Sequence, residues 1–597
     1  MIKLSDYIWN EVSALGVKNV FMFPGGGAMH LVDSLGSNKD IEHITLLHEQ
    51  ACVMAAETYA RVAESGIGVV LVTTGPGGSN TITGVAAAWL ESTPCIIISG
   101  QVKTSDLKDS LGVRQNGNQE LGIVDIVKSI TKYAVTVKKP EDIRYHFEKA
   151  TYLAMNGRQG PVWLDIPLDV QAAMIKPSEL NSCFDSSKKQ THKTLLTDGL
   201  INDVFNTLKN SKRPVVLAGE GVLRAHAGEA LLELVTRLNI PLLTSWLAVD
   251  IIPYNHSLNI GKPGMVAPRY SNFAMQNADC LLSIGCRLDA SEIGYDHSNF
   301  APKAKKIIVD IDENEIKKLQ TEIALEVVAD AGEFISAIAA GVEQKGFSTD
   351  YSEWIKQCAL WKKKYPVVLT EYRESENYVN AYNFVDVLSD ALTENDVIVP
   401  GSSGACIDVF WMSYKNKKGQ KSCATGGLGS MGYGLPASIG ACIAAGRKRT
   451  ICFEGDGSIQ LNIQELANVV GLNLPIKIFV MDNGGYLSIR NMQKSHFEGR
   501  LVGSNRESGL LLPDIAAISR AYGIKTYKIE SHDGLHERIQ EVLATEEPAL
   551  CVVKISDDLV IAPKVISKVS EDGSMISGKL EDLWPFLSEK EMKENIL

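Results

Sequence analysis

Asp456 and Asn483 are the residues of this chain whose types and placing point most directly to chemistry. Each sits where an apolar run breaks into glycine. Thr450-Ile451-Cys452-Phe453 leads into Glu454-Gly455-Asp456-Gly457-Ser458, and Ile476-Lys477-Ile478-Phe479-Val480-Met481 leads into Asp482-Asn483-Gly484-Gly485. A helical stretch, Ile463 to Val470, separates the two runs. The pattern predicts a β-α-β unit, whose parallel strands bring their C-terminal ends to one edge. An Asp and an Asn at that edge would offer hard oxygen ligands, which suit an octahedral cation such as Mg²⁺ that keeps its affinity for phosphate oxygens. Gly-Asp-Gly alone is often a simple turn, and Asn-Gly-Gly is one. Their pairing across one β-α-β unit is what points to a metal-held diphosphate.

The elements that must position these residues recur along the chain. Strand-like runs at Asn19–Phe23, Gly68–Val72 and Cys95–Ser99 each end in small or polar residues, with helical stretches at Gln50–Ser65 and Thr83–Leu90 between them. Continuous β-branched runs, rather than alternating ones, imply strands buried on both faces. The first unit spans residues 1–175. A polar stretch, Lys176–Lys193, reads as a linker to a second unit at 195–345, whose strands are Pro214–Ala218, Cys280–Ile284 and Lys306–Asp310. A third unit covers 379–555, and a polar tail runs from 556 to 597. The fold class expected is α/β, with three doubly wound parallel-sheet domains and a C-terminal tail.

At 597 residues the chain is too long for one core. A formal net charge of −12 and the lack of a basic stripe argue against nucleic acid as a partner. No apolar run approaches the ~20 residues of a membrane span. The start, Met1 to Tyr7, lacks the apolar core of a signal peptide. The 11 cysteines are scattered singly without a Cys-x-x-Cys pair, which disfavours zinc and suits a reducing, cytoplasmic setting.

The Asp456-to-Asn483 unit resembles the signature of thiamine-diphosphate-dependent enzymes, and the chain, up to about residue 555, is most similar to the acetohydroxyacid synthase (acetolactate synthase) group. That resemblance implies three domains in series: pyrimidine-binding, central and diphosphate-binding. It implies Asp456, Asn483 and the backbone oxygen of Gly485 as Mg²⁺ ligands, with Gly457 and Ser458 at the phosphates and Tyr486 beside the cofactor. In the segment Gly426-Gly427-Leu428-Gly429-Ser430-Met431-Gly432, the Gly429 carbonyl would meet the pyrimidine amino group, and Met431 would be the apolar wedge that bends the cofactor. The carboxylate that exchanges a proton with the aminopyrimidine ring would be Glu49, in an apolar pocket. From the residues alone, a Glu at a strand-to-helix junction reads as a helix-start charge.

Several positions depart from the group. After Gly404, a diphosphate contact, the group's Gln-His pair is replaced by Ala405-Cys406, with Ser402-Ser403 before it. Gln119 is a candidate active-site polar group, but Asn118 stands where the group has phenylalanine. No tryptophan lies near Met492, and Leu168 takes the place of a basic residue. His30 reads as an exposed loop histidine. The resemblance implies decarboxylation of a 2-oxo acid, with pyruvate as donor, and carboligation to a second carbonyl compound: another 2-oxo acid, an aldehyde or a nucleotide-linked keto sugar. A non-ligating decarboxylase and a non-catalytic partner subunit are the alternatives. FAD stays open, carried by Arg158, by Gly285-Cys286-Arg287-Leu288-Asp289 and by Asp310-Ile311-Asp312. A homo-oligomer is expected, a dimer at least and a tetramer by preference.

Overall fold

The computed structural model describes residues 1–109, 111–184, 196–374, 377–402, 404–569 and 575–597. Three parallel sheets carry the fold. The first contains β1 (Asn19–Met22), β2 (Glu42–Thr45), β3 (Gly68–Val72), β4 (Cys95–Gln101), β5 (Tyr133–Thr136) and β6 (Val162–Pro167), in the order β2-β1-β3-β4-β6-β5. The second contains β7 (Pro214–Ala218), β8 (Leu242–Thr244), β9 (Cys280–Ile284), β10 (Lys305–Asp310) and β11 (Leu325–Val328), in the order β8-β7-β9-β10-β11. The third contains β12 (Val397–Pro400), β13 (Lys421–Ser422), β14 (Thr450–Gly455), β15 (Ile476–Asp482), β16 (Lys525–Ile529) and β17 (Ala549–Lys554), in the order β13-β12-β14-β15-β17-β16. Counted from its own first strand, the third sheet repeats the order of the first.

The runs read as strands are continuous and apolar because helices cover both faces of each sheet. Every residue of β3, β7 and β9 is buried. The helix between β14 and β15 is shorter than its sequence suggests. A 3₁₀ stretch, Ile459–Glu465, precedes a short helix, Leu466–Gly471, and Asn462 leaves helical geometry at φ −139°. Its side chain is recruited instead to the Gly432 carbonyl, to which Nδ2 donates at 2.8 Å.

The first and third sheets meet through two helices, α1 (Glu49–Val62) and α2 (Gly434–Ala444). Ala51, Ala55 and Ala56 on α1 and Gly440 on α2 keep the crossing close. A Cβ on Gly440 would lie 1.9 Å from the Ala55 carbonyl oxygen. The Thr58 hydroxyl donates across the crossing to the Ala437 carbonyl at 2.8 Å. One apolar core runs through it, from Ile44 and Val70 to Leu435, Ile439 and Ile478.

The tail does not end on the third sheet. Residues 580–597 return to the central unit, where Leu580 and Leu583 are buried. Arg269 donates to the Leu583 carbonyl at 2.8 Å, and Asn277 to the Asn595 carbonyl at 2.8 Å. The closing helix is Glu589–Glu594, capped by Ser588. Of the stretch read as a linker, residues 185–193 lie outside the described residues.

Candidate active site

Register places the metal-ligand candidates. In the parallel pair β14 and β15, Gly455 stands opposite Met481, so Asp456 and Asn483 follow at one sheet edge. The Asp456 carboxylate is fixed by two backbone amides: Gly457 N–H donates to Oδ1 at 2.8 Å and Gly485 N–H to Oδ2 at 2.9 Å. Burial first, and then the charge of Asp482, push this carboxyl up to about 7. Asn483 is buried, and its Oδ1 has no hydrogen-bond partner. Arg490 holds the turn from behind, donating to the Asn483 carbonyl at 2.9 Å and to the Asp557 carbonyl at 2.6 Å. A buried amide oxygen without a donor, beside a carboxylate whose charge is costly, fits a hard cation. Among the described residues no three His, Cys, Asp or Glu side chains converge on a metal site. A cation here would therefore draw on amide, carboxylate, main-chain and phosphate oxygens together.

The glycine-rich segment faces this edge. Gly432 N–H donates to Ser458 Oγ at 2.9 Å, and the Ser402 hydroxyl donates to the Ser430 carbonyl at 2.6 Å. Gly429, at φ +63°, looks onto open space. Ser430 Oγ is buried without a partner, and Met431 is half-buried nearby in the segment. Gly457 must be glycine because a Cβ there would stand 2.5 Å from the Tyr486 ring. Gly404 opens the helix Gly404–Ser413, close enough to Ser488 that a Cβ would lie 2.4 Å from its hydroxyl. Of the two serines before it, Ser402 is tied to the glycine segment, while Ser403 lies outside the described residues.

Glu49 begins α1. His48 caps that helix, its Nδ1 accepting from Gln50 N–H at 3.1 Å. The Glu49 carboxylate is buried, yet its surroundings are not purely apolar: Asn80 donates to Oε2 at 3.0 Å. Glu465, from the third unit, accepts the Leu47 N–H at 3.1 Å and so holds the turn that delivers Glu49. Burial pushes the Glu465 carboxyl up to about 7. Gln119 is exposed and in left-handed backbone geometry, φ +64°. Its loop is organised by buried Glu120, which accepts from the amides of Lys108 at 2.6 Å and Asn116 at 2.8 Å. Thr74 donates to the Gln119 carbonyl at 3.4 Å, bringing that loop beside the turn that carries Gly77, where a Cβ would lie 3.7 Å from Glu49 Oε1.

The polar partners of Glu49 belong to the first unit and those of Asp456 to the third. His30 is half-buried as the second residue of the helix Met29–Ser37, not on a loop. Sequence reasoning passed over Asn80, Glu465 and Arg490, the side chains that hold the others in place.

Three families match in chain order. Thiamine pyrophosphate enzyme, N-terminal TPP binding domain, covers residues 2–128; the central domain covers 201–338; and the C-terminal TPP binding domain covers 403–553. The acetolactate synthase large subunit of Lactococcus lactis is 30% identical over 574 residues, 95% of each chain. The acetolactate synthase isozyme 3 large subunit of Escherichia coli is 32% identical over 546 residues, 91% of this chain and 92% of its own. That of Buchnera aphidicola (Schizaphis graminum) is 31% identical over 527 residues, 88% and 89%. With similarity of this extent over all three sheets, the chain belongs to the acetolactate synthase large-subunit family of thiamine pyrophosphate enzymes.

Proposed function

We propose that the chain decarboxylates a 2-oxo acid, with pyruvate as donor, and joins the two-carbon product to a second carbonyl compound. The observation that carries this reading is the unpartnered, buried Asn483 Oδ1 beside Asp456, a seat for Mg²⁺ and a diphosphate at the edge of the third sheet. When bound, thiamine diphosphate supplies the carbon that attacks the keto group and holds the electron pair left as carbon dioxide departs.

The protein's residues bind, aim and move protons. Asp456, Asn483 and the Gly485 carbonyl would hold Mg²⁺. Gly457, Ser458 and Gly404 would meet the phosphates, and backbone amides would stand in for the family's Gln-His pair, since the Ser402 hydroxyl is already given to the Ser430 carbonyl. With the cofactor bound, the Gly429 carbonyl would accept from the ring amino group, Met431 and Tyr486 would pack against it, and Glu49 would exchange a proton with the ring. Gln119 orients the reacting carbonyl. Tyr486 to Met492 and Leu168 reshape the acceptor side, so the acceptor is a 2-oxo acid, an aldehyde or a ketone such as a nucleotide-linked keto sugar.

The cofactor would lie between two copies of the chain, Glu49 from one and Asp456 from the other, in a dimer or in a tetramer of two such dimers. The working units are 1–175, 195–345, 379–555 and the tail 556–597. The central unit offers a cavity of about 250 Å³ where the strand order reverses between β7 and β9. Gly219, Gly221 and Gly285 line it beside Arg158 and Asp310, a form that suits FAD. Burial raises the Asp310 carboxyl to about 6, and Arg158 pairs with Asp312 at 3.0 Å. Ten of the eleven cysteines are buried, and among the described residues no helix is long and apolar enough to cross a membrane. A reducing, cytoplasmic setting accords with the thiols.

One experiment tests the assignment and the shared site together. Glu49→Gln abolishes carbon dioxide release from pyruvate while thiamine diphosphate still binds, and Asn483→Ala abolishes it by weakening Mg²⁺-dependent cofactor binding. Co-expressed, the two variants regain about a quarter of wild-type activity, because half of the dimers are mixed and each carries one intact site. Full activity in Glu49→Gln contradicts the mechanism, and no recovery in the mixture contradicts the shared site.

A further inference from the structure

Glu91 has no part in the assignments above, yet it reaches all three units. It follows the helix Ile82–Leu90 of the first unit and is buried, 4% exposed. Its Oε1 accepts from Gly426 N–H at 2.7 Å, Gly427 N–H at 2.6 Å and the Thr425 hydroxyl at 3.3 Å, all in the third unit. Thr425 Oγ1 in turn accepts from Gly429 N–H at 3.3 Å. A single carboxylate oxygen thus gathers the first donors of the glycine segment, and one hydroxyl passes the constraint to Gly429.

The same side chain also stands in the wall of the central cavity, with Arg287 and Gly426. Arg287 donates to the Leu90 carbonyl at 3.0 Å and pairs with Asp289 at 2.6 Å. A charged acceptor buried between domains is costly unless its donors are well placed, and these are.

We propose that Glu91 is a positioning residue of the thiamine cradle, setting the 425–429 turn so that Gly429 meets the cofactor, and doing so from the wall of the central cavity. The inference rests on the reading of Gly429 as a cofactor contact. Removing the carboxylate takes the shared acceptor from the Gly426 and Gly427 amides and from the hydroxyl of buried Thr425, in a turn whose other residues reach the surface, so the cradle loses its shape before the cofactor arrives. Binding then has to restore it, and affinity falls while the chemistry of the bound cofactor does not.

The test compares wild type, Glu91→Ala and Glu91→Gln in the full chain at fixed Mg²⁺. Thiamine diphosphate affinity is read by quenching of tryptophan fluorescence, and kcat at saturating cofactor by carbon dioxide release. In Glu91→Ala the Kd rises about tenfold or more, with kcat within about threefold of wild type. Glu91→Gln keeps an acceptor oxygen and falls between the two. Unchanged cofactor affinity in a folded Glu91→Ala overturns the proposal. If that variant does not fold, wild-type affinity in Glu91→Gln overturns it instead. A loss of kcat with Kd unchanged also overturns it, since that result places Glu91 in the chemistry. A second arm adds FAD: it tightens thiamine diphosphate in wild type and ceases to do so in Glu91→Ala. If wild type retains no flavin, the flavin reading of the cavity fails, while the thiamine affinities still decide the role of Glu91.

Discussion

A buried carboxylate such as Glu465 shows how closely this site is tied to the protonation of its own scaffold. Glu465 accepts the Leu47 N–H ahead of Glu49, and Asn468 Nδ2 donates to it at 2.7 Å. Burial raises its carboxyl from 4.5 to about 7. The folded chain therefore holds that proton longer than the unfolded chain does. The resulting stability is fully present below about pH 4.5 and is lost as pH rises towards 7. Glu465→Gln, which cannot titrate, removes that slope. Its urea midpoint relative to wild type should rise between pH 5 and pH 8, and a constant or falling difference would contradict the assignment. At this scale the sequence was legible where chemistry and a strand end coincide, as at Asp456 and Asn483. It was silent on Glu465 and Asn80, whose work depends on contacts between segments far apart in the chain.

The elements were legible wherever burial on both faces leaves an uninterrupted apolar run, as in β3, β7 and β9. The edge strands were not. β2, Glu42–Thr45, is mostly exposed, and β13 is only Lys421–Ser422, so neither carries the apolar signal of a central strand. The 3₁₀ stretch before Leu466 was hidden because its apolar residues keep helical spacing while Asn462 turns away to Gly432. The crossing of α1 and α2 was equally illegible, since small residues on two distant helices do not announce each other. Its tightness gives a direct prediction. Gly440→Ala places a Cβ on the Ala55 backbone, where no side chain can move aside. The variant should lose about 2 kcal/mol or more, read as a lowered denaturant midpoint. An unchanged midpoint would mean that the helices cross less closely.

At the scale of the whole molecule, three sheets in series were readable from strand-and-glycine punctuation, and the match of order between the first and third was not. Strand order is set by crossovers, which local pattern does not encode. Nor did the tail disclose its course. Ile561 comes close to Gly404, and residues 580–597 then pack on the central unit, so one segment touches both the diphosphate edge and the middle domain. The family relationship and the shared-site reading converge on one claim: thiamine-dependent decarboxylation followed by ligation. The most direct measurement is product identity from ¹³C-labelled pyruvate, with thiamine diphosphate and Mg²⁺, alone and with a panel of 2-oxo acids, aldehydes and keto sugars. The account predicts labelled carbon dioxide together with a hydroxyketone in which the labelled two-carbon unit is bonded to an acceptor. Acetaldehyde as the sole product with every acceptor, or no carbon dioxide at all, would contradict it.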